Sequence, residues 1–173
     1  MITDFVTGKE IPNIGAEENR QAVAHFLVEE KEYLKEDLDL DIDIEMMVAG
    51  EAYRSQIDLM VSIDRGATRF MAIKCAAGSL GSREREILAG ARLFDENYQI
   101  PISVVSDGKT AIVLDTVSGK KIGEGLEAIP SKKEAIERLK SIELIPFPKE
   151  RLERERLIFR AYDNQNVNVQ RNV

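Results

Sequence analysis

Apolar and acidic residues alternate strictly over Asp37–Val48 (DLDLDIDIEMMV), which places Leu38, Leu40, Ile42, Ile44, Met46 and Val48 on one face and Asp37, Asp39, Asp41, Asp43 and Glu45 on the other. The spacing predicts a half-buried strand with a solvated acidic face, which also discourages edge pairing. A calcium loop needs a Gly at its bend and a closing Glu, whereas this row keeps period two and lacks the Gly. Upstream, Ala22, Val23, Phe26 and Leu27 recur at helical spacing within residues 16–33, with Glu17 and Glu18 in a first turn where negative charge suits the helix dipole. Downstream, residues 53–63 (YRSQIDLMVSI) alternate with Ile57, Leu59, Val61 and Ile63 apolar, and residues 69–75 (RFMAIKC) follow across Asp64-Arg65-Gly66-Ala67. Two antiparallel strands joined by a tight turn are expected.

Ser82 is positioned to cap a second helix running to about Phe94, with Ile87, Leu88, Ala91 and Phe94 on one stripe. Residues 101–105 (PISVV) and 111–115 (AIVLD) flank Asp107-Gly108, a two-residue hairpin signal. Ser131 with Glu134 makes a capping box that opens a short helix to Lys140. After Pro146 and Pro148 a charged helix runs from Lys149 to about Tyr162, followed by a polar, frayed tail. In that helix Glu150, Glu153 and Glu155 alternate with Arg and Lys as a solvated face, while Leu152, Phe159 and the pair Leu157-Ile158 dock on the fold. The pattern describes an α/β domain over residues 1–145, with residues 146–173 as a C-terminal helix and tail packed on it.

Composition narrows the function classes. With 173 residues, 43% hydrophobic and 32% charged, the chain suits one globular domain. No apolar run approaches the roughly 18 residues of a membrane span, and no export signal opens the chain, so no membrane partner and a cytoplasmic location are expected. One cysteine, Cys75, and one histidine, His25, exclude a Cys/His metal cluster, so any metal must sit on carboxylates. The formal net charge of -7 argues against coating nucleic acid by bulk electrostatics. The acid is unevenly spread: residues 1–130 hold 14 Lys+Arg against 24 Asp+Glu, and residues 131–173 hold 10 against 7.

The strand pair over residues 53–75 carries the candidate chemistry. Burying Ile57, Leu59 and Val61 with Met71, Ile73 and Cys75 requires pairing 59 with 73 and 61 with 71, because a one-residue slip flips every side chain. The same register sets Asp58 across from Lys74 on the opposite face. Such a pair is either a cross-strand salt bridge or a phosphodiesterase arrangement, in which a carboxylate holds Mg²⁺ beside a lysine that orients water and stabilises charge on phosphorus.

The order helix, three antiparallel strands, helix, strand resembles the PD-(D/E)XK nuclease superfamily, a restriction-endonuclease-like α/β core. More closely, EENRQAVAHFL (17–27), YRSQIDLMVS (53–62), AIKCAAGSLGSRERE (72–86) and VVSDGKTAIVLDTVSGK (104–120) resemble the N-terminal domain family of the type I restriction enzyme R subunit, over roughly residues 15–145. The resemblance implies a Mg²⁺-dependent endonuclease acting on DNA, with Glu17, or in competition Glu18, and Asp58 holding the metal and Lys74 catalytic. Active members carry an acid two residues before the lysine, whereas this chain has Ala72. A migrated acid, Glu84 or Glu86, is the compensating candidate. Arg83 and Arg85 either contact phosphate or solvate the first helical turn, and Arg20 is a further DNA-binding candidate. The alternative is a catalytically inactive nucleic-acid- or protein-binding module, and a third reading, an assembly module, predicts a homodimer. R subunits couple this domain to ATP-driven motors. Here no GxxxxGK[ST] loop provides an ATP site, so a stand-alone module is expected.

Overall fold

The alternating stretches form the sheet and the 3.6-period stretches cover it. In the computed structural model, which describes residues 1–171 and side chains through residue 164, the strands are β1 (Ile2–Thr3), β2 (Glu10–Ile11), β3 (Leu38–Val48), β4 (Glu51–Ile63), β5 (Thr68–Cys75), β6 (Ile102–Ser106), β7 (Ala111–Asp115) and β8 (Lys121–Glu124). The helices are α1 (Glu17–Glu29), α2 (Glu84–Leu93), α3 (Lys132–Ser141) and α4 (Leu152–Arg171). The main sheet runs β3-β4-β5-β6-β7-β8. Its neighbours are antiparallel except β5 and β6, which α2 joins as a crossover. The result is a mixed α/β fold with a six-stranded, mostly antiparallel sheet and four helices.

Leu59 pairs with Ile73 and Val61 with Met71, the register the apolar pattern requires. The sheet separates two cores. On one side Leu59, Val61, Met71 and Ile73 pack with Val23 and Leu27 of α1. On the other Met60, Ala72 and Val105 pack with Ile87 and Ala91 of α2 and Phe159 of α4. Helices α2 and α4 approach at Gly90, where the Phe159 ring lies 3.3 Å from the place a Cβ would take.

One residue falls on the unexpected side: Ile57 joins the second core instead of lining up with Leu59. The cause is local. Along β3 and β4 the ladder pairs Leu40 with Leu59 and Ile42 with Ile57 and skips Asp41 and Asp58 between them. Asp41 takes a left-handed φ of 48°, which breaks the two-residue alternation.

Other differences are equally specific. Helix α1 ends at Glu29, four residues early, and Tyr33 turns inward to donate its hydroxyl to the Pro130 carbonyl at 2.7 Å. Asp39, Asp41, Asp43 and Glu45 are exposed as expected. Asp37 is instead buried, accepting from the Leu34 amide and pairing with Lys132 at 2.9 Å. Ser82 does not cap α2; its hydroxyl bonds the Ser79 carbonyl, and Arg83 holds the N-cap position without a side-chain cap. Ser131 and Glu134 do form the reciprocal capping box of α3. Helix α4 continues to Arg171 through most of the polar tail, of which residues 172–173 lie outside the described residues. Propagating a helix already anchored costs little per residue, which offsets the weak propensity of the Asn and Val positions.

The β6–β7 turn spans residues 107–110 rather than two residues, because the Asp107 carboxylate accepts from the Lys109 and Thr110 amides at 2.9 Å each. Gly108 there has φ 86°, and a Cβ on it would stand 2.8 Å from the Ala22 Cβ of α1. Gly108→Ala is therefore expected to cost roughly 2 to 3 kcal/mol from backbone strain plus overpacking. Urea unfolding checks it, and an unchanged midpoint would contradict this account of the α1 contact.

Candidate active site

Strand β5 delivers Lys74 to the α2 side of the sheet, where its ammonium lies 3.7 Å from Asp58 of β4 and 3.4 Å from Glu86 of α2. Asp58 also accepts the Cys75 amide at 2.8 Å, which fixes its carboxylate at the end of β5. Glu86 is 3% exposed and Lys74 8%, so the lysine and one of its acids are withdrawn from water. Ala72, one step back on the same face, is fully buried in the second core. The acid that reaches the lysine comes from the following helix, and it is Glu86, not Glu84. Position fits, since α2 starts just beyond β5 and its third residue is the one that turns back over the strand.

Desolvation raises the Asp58 carboxyl above its ordinary range, against the opposing pull of Lys74 and the Cys75 amide. Burial works against the charge on Lys74, but Asp58 and Glu86 outweigh it and the ammonium is held more firmly protonated than usual. The cluster therefore keeps one firm positive charge between two carboxyl groups of reduced solvation. A firmly charged lysine in such a place can neutralise charge developing on a substrate.

The helix glutamate is not part of this cluster. Glu17 accepts from Arg20 at 2.6 and 3.0 Å and from Gln21 at 3.0 Å. Arg20 also pairs with Asp41 at 2.7 Å and Asp4 at 3.5 Å. Arg20 and Asp41 lie near enough to Asp58 to influence it electrostatically, so the two clusters adjoin through them. Glu18 is exposed and accepts from Asn13. Arg85 is committed to Glu155 of α4 at 2.8 Å, while Arg83 is 5% exposed, which removes the reading of Arg83 as a solvated first-turn residue.

Helix α4 frames the site. Glu155, expected on a solvated face, is 3% exposed and pairs with Arg85 and with Arg92 at 3.3 Å. Two turns on, Asp163 accepts from Tyr53 and, at 2.9 Å, from Ser55. Leu157 instead points outward at 41% exposure. The buried stripe of α4 is Glu155, Phe159 and Asp163, spaced four apart. Its only sequence signal is that spacing, two acids flanking a phenylalanine on one helix face.

Among the described residues no group of three or more His, Cys, Asp or Glu side chains is placed to hold a metal ion. Mg²⁺ asks less, one or two carboxylates completed by water and phosphate. Asp58 and Glu86 are hard oxygen donors of the kind Mg²⁺ takes, and both are turned to the Lys74 ammonium.

Sheet, crossover helix and acid–lysine–acid cluster together define an α/β protein with charged groups gathered between the middle of β4, the end of β5 and the start of α2. The chain belongs to the family described as type I restriction enzyme R protein N terminus, whose model matches residues 15–130. The match takes in the whole Asp58–Lys74–Glu86 cluster and ends before α3 and α4. Comparison with curated proteins and with solved structures found no match. Among the described residues no helix is long and apolar enough to cross a membrane.

Proposed function

We propose that the protein is a Mg²⁺-dependent DNA endonuclease-like member of its family, with a restriction-endonuclease-like core of the PD-(D/E)XK kind. The observation that carries the reading is the burial of Glu86 against Lys74, opposite Asp58. Asp58 and Glu86 would hold the metal, which supplies Lewis-acid stabilisation of the leaving oxygen when bound. Lys74 keeps its proton and directs its remaining N–H donors to the attacking water and to the phosphate oxygens. Helix α2 supports the geometry by presenting Glu86 from a rigid element rather than a loop. Family membership supports DNA as the substrate class.

Two observations favour a second reading, a silent module that binds DNA through the same face: Glu17 is turned to Arg20 and Ala72 is sealed in the core. Supercoiled plasmid separates the two. The nuclease reading expects nicked circles with Mg²⁺ or Mn²⁺, none with EDTA, and a loss of about a hundredfold or more in Asp58→Ala and Lys74→Ala. If wild type and both variants behave alike while the protein still retains duplex at low salt, the silent module stands instead.

A further inference from the structure

We propose that the groove between the β4–β5 turn and α3 is the contact face of a homodimer, in which each copy seats the same surface of the other across a two-fold axis. The groove has a volume of about 290 Å³. One wall carries Ile63 and Asp64, from the end of β4 and the turn after it. The other carries Ile136, Leu139 and Lys140 of α3, with Leu144 just beyond the helix.

Helix α3 accounts for the apolar lining. It has ten residues and buries only Ala135, whereas helices this short depend on tertiary packing rather than on propensity. Ile136 stays more than a third exposed, and so do Ile142, Leu144 and Ile145 in the segment that follows. Four large apolar side chains left in water within ten residues of chain, rimmed by charge, mark a protein contact rather than ordinary surface.

The charges identify the occupant as a second copy. The Asp64 carboxylate has no hydrogen-bond or ion-pair partner among the described residues. Lys140 is held only by Glu137 of its own helix, an exposed pair at 3.1 Å of the kind that contributes little. An acid on one wall and an amine on the other make the surface self-complementary: a two-fold axis through the groove sets Asp64 of each copy against Lys140 of the other. A lining with as much acid as base does not suit a polyanion. The groove lies at the Thr68 end of β5, away from the end that carries Lys74. Its α3 wall lies outside residues 15–130, the segment matched by the family. The inference therefore stands apart from the nuclease reading.

Sedimentation of the full chain over a range of micromolar concentrations, without DNA or metal, tests it. Wild type should show a dimer that dissociates on dilution. Ile136→Glu should be monomeric throughout, and its thermal melt should match that of wild type diluted to the monomer, because Ile136 is not part of the buried core. Asp64→Lys and Lys140→Asp should each weaken the dimer by roughly tenfold or more, since each sets like charges face to face. The double variant Asp64→Lys/Lys140→Asp should recover to within roughly threefold of wild type, because a two-fold contact restores both pairs at once. A wild type that stays monomeric leaves the groove to another occupant and overturns the proposal. So does a dimer indifferent to Ile136→Glu, or one weakened by both single exchanges without recovery in the double variant.

Discussion

Glu155→Ala is expected to destabilise the protein by about 3 kcal/mol at neutral pH, since removing one partner of a buried ion cluster strands the others. Glu155 is the shared acid of Arg85 and Arg92, and the Arg92 side chain is only 8% exposed. Both guanidiniums would keep their charge, so neither can escape the loss by deprotonating. The Arg92 Nε–H would still reach the Thr116 carbonyl at 3.0 Å, which softens the effect without cancelling it. Burial pushes the Glu155 carboxyl up, but the hydrogen bonds and charges of Arg85 and Arg92 prevail and hold it below its ordinary value. The sign follows by linkage. Its contribution is fully present above the ordinary carboxylate range and is lost as pH falls through the depressed folded value. Urea unfolding at neutral and acidic pH checks both parts, and a Glu155→Ala variant as stable as wild type would show that Arg85 and Arg92 do not depend on Glu155.

Lys74→Met is the second large effect, again about 3 kcal/mol near pH 7, and it carries the opposite pH signature. Without the ammonium, the buried Glu86 and the half-buried Asp58 both lose their shared cation, which favours their taking up protons. Asp58 already binds its proton more firmly than in the unfolded chain, and loss of Lys74 raises it further. A carboxyl raised in the folded state favours folding below its unfolded value and loses that contribution as pH rises. The gap between Lys74→Met and wild type should therefore narrow toward about pH 4 and widen above it. A gap independent of pH would mean that Lys74 acts by packing its stem and not by charge.

How much of this was legible in the chain depended on whether a local rule decided it. The register of β4 on β5 followed from apolar alternation because a one-residue slip would have turned Leu59, Val61, Met71 and Ile73 away from α1 together. The same rule misplaced Ile57, since alternation assumes an unbroken ladder and Asp41 breaks it with a left-handed residue that no pattern of apolar positions announces. The capping box of α3 was legible because both partners lie within one turn. Ser82 had the right residue type, but the chain enters α2 through a short 3-10 turn over Gly81–Arg83 that moves the cap to Arg83.

Long-range charge pairing was the least legible. Nothing within a turn of Asp37 announces Lys132, and nothing near Glu155 announces Arg92. The candidate site shows both regimes. Asp58 and Lys74 could be brought together from register alone, and the structure pairs them at 3.7 Å. Choosing Glu86 over Glu84 needed the rotation of α2 over β5, a tertiary feature in which Gly90 also meets Phe159 of the distant α4. Glu17 is held away from the lysine by Arg20, a neighbour whose own attachment to Asp41 comes from the irregularity in β3.

The claim that Glu86 takes the place of the acid absent at Ala72 is tested most directly by single-turnover nicking of supercoiled DNA with Mg²⁺ or Mn²⁺, comparing wild type with Glu86→Gln and with Glu84→Gln. Both variants remove one charge from the same helical turn, so a general electrostatic effect would treat them alike. Wild type should nick, Glu86→Gln should fall by roughly a hundredfold or more, and Glu84→Gln should change little. No nicking by wild type, or equal rates in the two variants, would contradict that claim.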